Sequence, residues 1–387
     1  MIAPNDPPAV AWSLEALARE LVDARVLGDP ATLVRGVRHD SRAVRPGDLF
    51  VARKGEKLDG LSFVPAAIAA GASAVLAQRD HAPEGCPVPM LLVDDVRAAI
   101  GWTASAIYGH PGRTLQVAGI TGTNGKTTTS YLARAALDGA GARAAVLGTL
   151  GASFGDLALS SGHTTPEADD LVRLVAHLRD AGASHLVMEV SSHALAQRRA
   201  DTMHYRVAAF TNLTQDHLDF HGSMEAYAQA KTLLFTERNP DRAVVNVDDP
   251  FGVELASKTR CPVLRVSRSP ASRADVRPIT EAQHDLRGIR CDVATPGGTV
   301  HIDSPLVGDH NLQNLLMALS IAYAFELPLD AAATALSCNI AVPGRLERCD
   351  GPGDDVIVLV DYAHTPDALE RALRAVRAVS AARVRSE

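Results

Sequence analysis

Residues 115–128 read LQVAGITGTNGKTT, and their interpretation decides the fold. The apolar run Leu115–Thr121 suits a buried strand; Gly122-Thr123-Asn124-Gly125-Lys126-Thr127-Thr128 follows, and then a helical pattern. A strand that passes through glycines into a helix is the setting of a phosphate loop. Glycines let successive backbone N–H groups turn inward around phosphate oxygens, and the helix N-terminus adds a favourable dipole. A helix dipole supplies only about 0.3–1 kcal/mol at an exposed end, whereas micromolar binding needs about 8 kcal/mol. Lys126, a magnesium ion beside Thr127 and a nucleoside pocket must supply the rest. The spacing is not the strict GxxxxGK[ST], whose first glycine would fall at Ile120; Gly119 is one residue out of register.

Downstream of this loop, apolar strands alternate with amphipathic helices: Ala144–Leu147, His185–Val190, Val207–Leu213 and Ala243–Val247. That alternation predicts an α/β domain with a mainly parallel sheet. Between Arg287 and Pro305 the period shortens around Pro296-Gly297-Gly298, which predicts an antiparallel ribbon, and helices follow over 311–325 and from Asp330. Upstream, residues 13–27 carry Leu14, Leu17, Leu21 and Val22 at helical spacing, with Ser13 as N-cap. A strand over 48–52, a helix over 64–70 and a strand from Ala74 to Leu76 complete a first unit, closed by a linker at His110-Pro111-Gly112-Arg113. A strand over 356–360 and a helix over 366–379 begin a third. The expected domains are 1–112, 113–343 and 344–387.

Length and composition agree with a multidomain globular chain: 387 residues, 47% apolar, 21% charged, net charge -7. An acidic chain is a poor candidate for holding nucleic acid through phosphate contacts, so no nucleic-acid partner is expected. Five scattered cysteines without a CxxC pair point to reduced thiols. With no signal-peptide pattern and no long apolar run, neither export nor membrane insertion is expected, and the expected location is the cytoplasm.

Two strand ends narrow the chemistry. Met188-Glu189-Val190-Ser191-Ser192-His193 ends an apolar strand on a carboxylate, where open α/β sheets collect ligands. Glu189 suits a magnesium ligand, or else a buried structural carboxylate. Asn212-Leu213-Thr214-Gln215-Asp216-His217-Leu218-Asp219-Phe220-His221 ends the next strand; its two histidines and two acids could bind metal, while the acids could equally be caps or solvated loop residues. From composition alone Lys231 reads as a surface lysine of a helix.

The run GTNGKTT, with MEVSSHAL, TNLTQDHLDFHG, YAQAK, GDHNLQN, VPGRLE and VDYAHTPDAL, closely resembles the Mur ligases, and within them the members that add meso-diaminopimelate or L-lysine. The resemblance extends from Asp40-Ser41-Arg42 to the helix after Asp367. It implies an α/β fold in three domains: an N-terminal UDP-binding domain, a central P-loop ATPase-like parallel-sheet domain and an incomplete Rossmann-like C-terminal domain. It implies ATP and Mg²⁺ as cofactors, and UDP-MurNAc-L-Ala-D-Glu with meso-diaminopimelate or L-lysine as substrates. His39 and Ser41, with the loop Glu56 and Lys57, fall where the family holds the uridine nucleotide. Thr164 and Thr165 match its paired threonines for the muramoyl peptide, and Ser191, Gln197 and Arg199 its further contacts. Glu189 and His217 fall on magnesium positions, and the lysine at Lys231 is carbamylated in the family, becoming an anion that helps hold a second magnesium. Asn311 and Asn314 fall where the family approaches adenine, and Arg345 and Asp361 where the C-terminal unit completes the ATP site.

The sequence departs from the family after Gly344, where about forty residues remain. A DNPR-type motif, whose arginine selects diaminopimelate, is not among them. The expectation is a shortened C-terminal unit with exposed apolar faces and a weak second half-reaction.

Overall fold

The computed structural model describes residues 7–55, 58–285, 288–338, 340, 342–349, 356, 358–363, 369–370, 373–374 and 376–377. By contacts the chain divides into two units: residues 1–116, 149–183 and 192–204, and residues 117–148, 184–191 and 205–387.

The first unit is built on a five-stranded sheet in the order Arg25–Leu27, Met90–Val93, Ala74–Gln78, Asp48–Ala52, Gly36–Arg38. Its last four strands are parallel and the first is antiparallel to Met90–Val93. Asp48–Ala52 is buried along its whole length, as a central parallel strand covered on both faces must be. Ser13 caps the first helix as expected, accepting from the Ala16 amide at 3.2 Å. That helix spans only Leu14–Glu20, shorter than the spacing predicts. The chain turns at Asp23 (φ 52°), Val22 is left 86% exposed, and Arg25–Leu27 joins the sheet instead. The expected linker at 110–113 is also different: Pro111–Thr114 is a helical turn with Pro111 and Gly112 buried. A Cβ at Gly112 would stand 2.7 Å from the Thr202 carbonyl oxygen, so only glycine fits that packing. The unit also holds a hairpin, Gly151–Phe154 with Leu157–Leu159, and the helix Ala168–Asp180.

The second unit carries six neighbouring strands in the order Ala144–Gly148, His185–Glu189, Gln116–Thr121, Tyr205–Phe210, Arg242–Asn246, Val263–Val266. The pairings Ala144–Gly148 with His185–Glu189, Gln116–Thr121 with Tyr205–Phe210, and onward to Val263–Val266 are parallel. The helices Lys126–Gly139, Asp309–Ala324 and Leu329–Leu336 pack together, with Leu132, Leu315, Leu319 and Leu336 fully buried in the core. The antiparallel ribbon is present as Gly288–Thr295 paired with Gly298–Ser304. In the C-terminal stretch Leu359–Val360 pairs antiparallel with Glu347–Arg348. The helix expected over 366–379 begins and ends outside the described residues; Leu369–Glu370, Leu373–Arg374 and Val376–Arg377 are helical. Val356, Val358, Val360, Leu369 and Leu373 are exposed.

Candidate functional site

In the second unit every strand with a chemical group at its end presents it at the carboxyl edge. Gln116–Thr121 runs into the glycine loop, and Gly125 (φ 83°) is the N-cap of Lys126–Gly139. A side chain is excluded at Gly122 (φ 148°), where a Cβ would lie 1.9 Å from Thr211 Oγ1. At Gly125 it would lie 2.6 Å from Asn314 Oδ1. The two glycines the loop requires are therefore Gly122 and Gly125, which explains why the out-of-register Gly119 does not matter to its shape.

The loop is braced by the next strand end. Asn212 accepts from the Thr123 amide with its carbonyl (2.8 Å) and from the Asn124 amide with Oδ1 (2.9 Å). Thr211 Oγ1 and Asn212 Nδ2 both donate to the Asn124 carbonyl. Thr123 Oγ1 donates to the Thr214 carbonyl and lies 3.1 Å from the Tyr227 hydroxyl. Such a loop is fixed before any ligand arrives, so little ordering cost remains for binding.

Two lysines converge inside it. Lys126 Nζ donates to the Gly122 and Thr123 carbonyls, each at 2.8 Å, and Lys231 Nζ donates to the same Gly122 carbonyl at 2.9 Å. Lys231 is not a surface lysine: it is 1% exposed and lies over the Tyr227 ring, 4.2 Å from its centroid. The two nitrogens are no more than about 6 Å apart. Two ammonium charges at that distance would repel by roughly 3 kcal/mol at an effective dielectric constant near 20. Burial first, and then the Lys126 charge, push the Lys231 amine well below the lysine range, with Asp216 acting against them. Burial also lowers Lys126, opposed by Glu189 and Asp216. Burial and the neighbouring cation thus both act against a charge on Lys231, and Asp216 offsets them only in part.

The acids face this pair. Glu189 is 1% exposed at the end of its strand, packed so closely on Gly148 that a Cβ there would come within 2.1 Å of Oε1. His217, in the left-handed region (φ 51°), is about half exposed, with Nε2 3.5 Å from Asp216 Oδ2. Thr127 and Thr128 are buried in the first helical turn. Asn314 accepts from Thr129 Oγ1 and donates to Asn311 Oδ1, both at 3.1 Å, so the two asparagines brace the loop glycine from the helix Asp309–Ala324. Arg345 Nη2 lies 3.4 Å from Thr127 Oγ1, and Asp361 accepts from the Leu346 and Ala363 amides at 2.8 Å. Ser191 is half-buried directly after the strand. Glu189 and Thr127 offer hard oxygen donors, a set that suits magnesium; Lys231 adds none until its amine is converted to an oxygen-bearing group.

The first unit gathers the remaining candidates. Arg199 donates to the Thr165 carbonyl (3.1 Å) and to Gln197 Oε1 (2.6 Å), and pairs with Glu167 Oε1 at 2.7 Å. Arg53 pairs with the other oxygen of Glu167 at 3.0 Å. Thr164 Oγ1 lies 3.1 Å from Thr149 Oγ1. His39 is bound to Asp169, and Ser41 opens a short 3-10 turn capped by Asp40. Glu56 and Lys57 lie outside the described residues. Arg53, Glu167 and Asp169 here, and Asn212 and Tyr227 in the phosphate-loop unit, carry no assigned role in the sequence, whereas Asp216 is one of the acids it offers as metal ligands or caps. For Tyr227 a signal existed, since it stands four residues before Lys231 on one helical face. Glu167 and Asp169 read only as acids at a helix start.

A model of the Mur ligase middle domain matches residues 120–322, and one of the Mur ligase family catalytic domain matches residues 33–108. UDP-N-acetylmuramoyl-L-alanyl-D-glutamate–2,6-diaminopimelate ligase of Geobacter metallireducens is 44% identical over 379 residues, covering 96% of this chain and 73% of that one. Its counterpart in Streptomyces coelicolor is 42% identical, covering 98% of this chain and 75% of that one. Among solved structures, one of such a diaminopimelate ligase superposes with a TM-score of 0.81 at 30% identity, over 95% of this chain and 74% of that one.

Proposed function

The chain belongs to the Mur ligase family, and on that premise we propose that it is an ATP-dependent ligase joining meso-diaminopimelate to the D-glutamate of UDP-MurNAc-L-Ala-D-Glu. The observation that carries this reading is the convergence of Lys126 and the buried Lys231 on one glycine-loop carbonyl, facing a buried glutamate. A reaction in which a carboxylate attacks a phosphate brings two anions together, so concentrated positive charge is what it needs.

Residues 1–112 are assigned to the uridine nucleotide, 113–343 to ATP and the muramoyl peptide, and 344–387 to the start of the unit that completes the ATP site. The substrate's D-glutamate carboxylate attacks the γ-phosphorus of ATP; the bond to the β-γ bridging oxygen breaks, leaving ADP and an acyl phosphate. The amine of the diamino acid then attacks the acyl carbon, phosphate departs, and the amine proton passes to a base. His217 stands near Asp216 and is our candidate for that base. The loop amides and Lys126 hold the phosphates, while Asn311, Asn314, Arg345 and Asp361 border the nucleotide. Glu189, Thr127 and His217 are the candidate holders of magnesium, which when bound supplies further neutralising charge. Lys231, whose surroundings disfavour its positive charge, is suited to take up carbon dioxide as a carbamate, which would place an anion beside Lys126. Thr164, Thr165, Ser191, Gln197 and Arg199 are the candidate contacts for the muramoyl peptide, and His39 and Ser41 for the nucleotide.

The test is product analysis by mass spectrometry after incubation with ATP, Mg²⁺, UDP-MurNAc-L-Ala-D-Glu and one amino acid at a time. A tripeptide product with meso-diaminopimelate supports the proposal; a product with L-lysine alone would overturn the choice of amino acid.

A further inference from the structure

His39 and Asp169 are 130 positions apart in sequence and bonded twice over. The His39 amide donates to Asp169 Oδ2 at 3.0 Å, and its Nδ1 lies 2.8 and 2.9 Å from Oδ1 and Oδ2. Asp169 is 1% exposed and sits in the first turn of the helix Ala168–Asp180, where the helix dipole favours a carboxylate. Two residues after His39 comes Ser41, in a turn closed by Asp40, which accepts from the Arg42 amide at 3.0 Å. The segment is therefore fixed at its root by Asp169 and at its tip by Asp40.

We infer that Asp169 is a positioning residue: by clamping both the backbone and the ring of His39 it sets the turn that presents Ser41 to the uridine nucleotide. The inference rests on the assignment of Ser41 to that ligand. His39, which the family resemblance sets among the nucleotide contacts, then acts through the loop, because its amide and Nδ1 are already committed. His39, Asp169 and Asp170 bring ligand-type atoms within 4.8 Å of one another, a spacing also open to a cation. Asp169 spends both oxygens on His39 and Asp170 pairs with Arg173, so the cluster balances its own charge.

The clamp is pH-dependent. Burial opposes charge on His39, but the hydrogen bond and charge of Asp169, helped by Asp170 and Glu167, raise its pKa to about 9. Arg173 faces the same acids from the next helical turn. A folded value raised from the ordinary 6.5 means that the clamp is complete below that pH and lost as pH rises through about 9.

The experiment compares the wild-type chain with Asp169→Asn and His39→Gln, using calorimetric titration with UDP-MurNAc-L-Ala-D-Glu and separately with ATP at pH 7.5 and pH 10. Loss of one charge-assisted hydrogen bond predicts about tenfold weaker binding of the muramoyl nucleotide by either variant at pH 7.5, with ATP unchanged. At pH 10, where the wild type has lost the same charge, the gap closes. Variants that bind the muramoyl nucleotide like the wild type at pH 7.5 would overturn the inference, as would an undiminished gap at pH 10 or stronger wild-type binding on adding Zn²⁺. His39 titration followed by NMR reports the clamp independently. A wild type with a normal clamp and normal ATP binding, yet no affinity for the muramoyl nucleotide, would sink the ligand assignment and the inference with it.

Discussion

The glycine loop and the charged cluster of the first unit are built on opposite principles. The loop is local: Gly122, Gly125 and Lys126 fall within five residues, and its backbone has essentially one way to run because Thr211 and Asn314 stand where side chains would be. The charged cluster is assembled from residues far apart in sequence, held by side-chain pairs such as Arg53 and Arg199 on Glu167 and His39 on Asp169. A site made of backbone tolerates change around it but not within it. One made of paired side chains can be loosened from positions that touch no ligand.

That contrast is sharpest at Lys126. Replacing it with methionine keeps the bulk and removes the cation, and phosphate release from ATP should fall by about 10³-fold, the scale of losing one preorganised charge-stabilising group. Glu189→Gln should cost about 10²-fold, with the deficit growing as Mg²⁺ is lowered, because its oxygens are the buried hard donors of the site. Either variant retaining near-normal turnover would break the division of labour. In the first unit, Glu167→Gln should weaken UDP-MurNAc-L-Ala-D-Glu by about tenfold and leave the affinity for ATP alone, since it unhooks Arg53 and Arg199 without reaching the loop. Equal losses for both ligands in that variant would show that the two regions are not separable. The smallest effect is on stability: wild type should melt about 2 °C above His39→Gln at pH 7, and the gap should shrink as pH rises through about 9.

The same contrast explains what could be read without coordinates. The loop, the parallel strands and the acid at Glu189 were legible because glycine spacing and apolar runs are local signals. Lys231 was not, since a YxxxK spacing puts Tyr227 and Lys231 on one helical face without saying that this face turns inward towards Lys126; only the family resemblance gave Lys231 a role. Asp169 and Glu167 stayed hidden for a different reason. Acids at a helix start satisfy the dipole wherever they are, so their partners at His39, Arg53 and Arg199 leave no trace in spacing. The first helix is shorter than its pattern suggests because Leu21 and Val22 keep the helical period although the chain is already extended at Leu21, ahead of the turn at Asp23.

The central claim is that this is a ligase whose ATP chemistry answers to a muramoyl dipeptide. The most direct measurement is ADP formation from ATP and Mg²⁺ by the purified chain, with and without UDP-MurNAc-L-Ala-D-Glu, then with meso-diaminopimelate or L-lysine added. The account predicts ADP formation that requires the muramoyl dipeptide and rises with meso-diaminopimelate but not with L-lysine. ADP formation indifferent to the muramoyl dipeptide, or supported by a folate in its place, would contradict it.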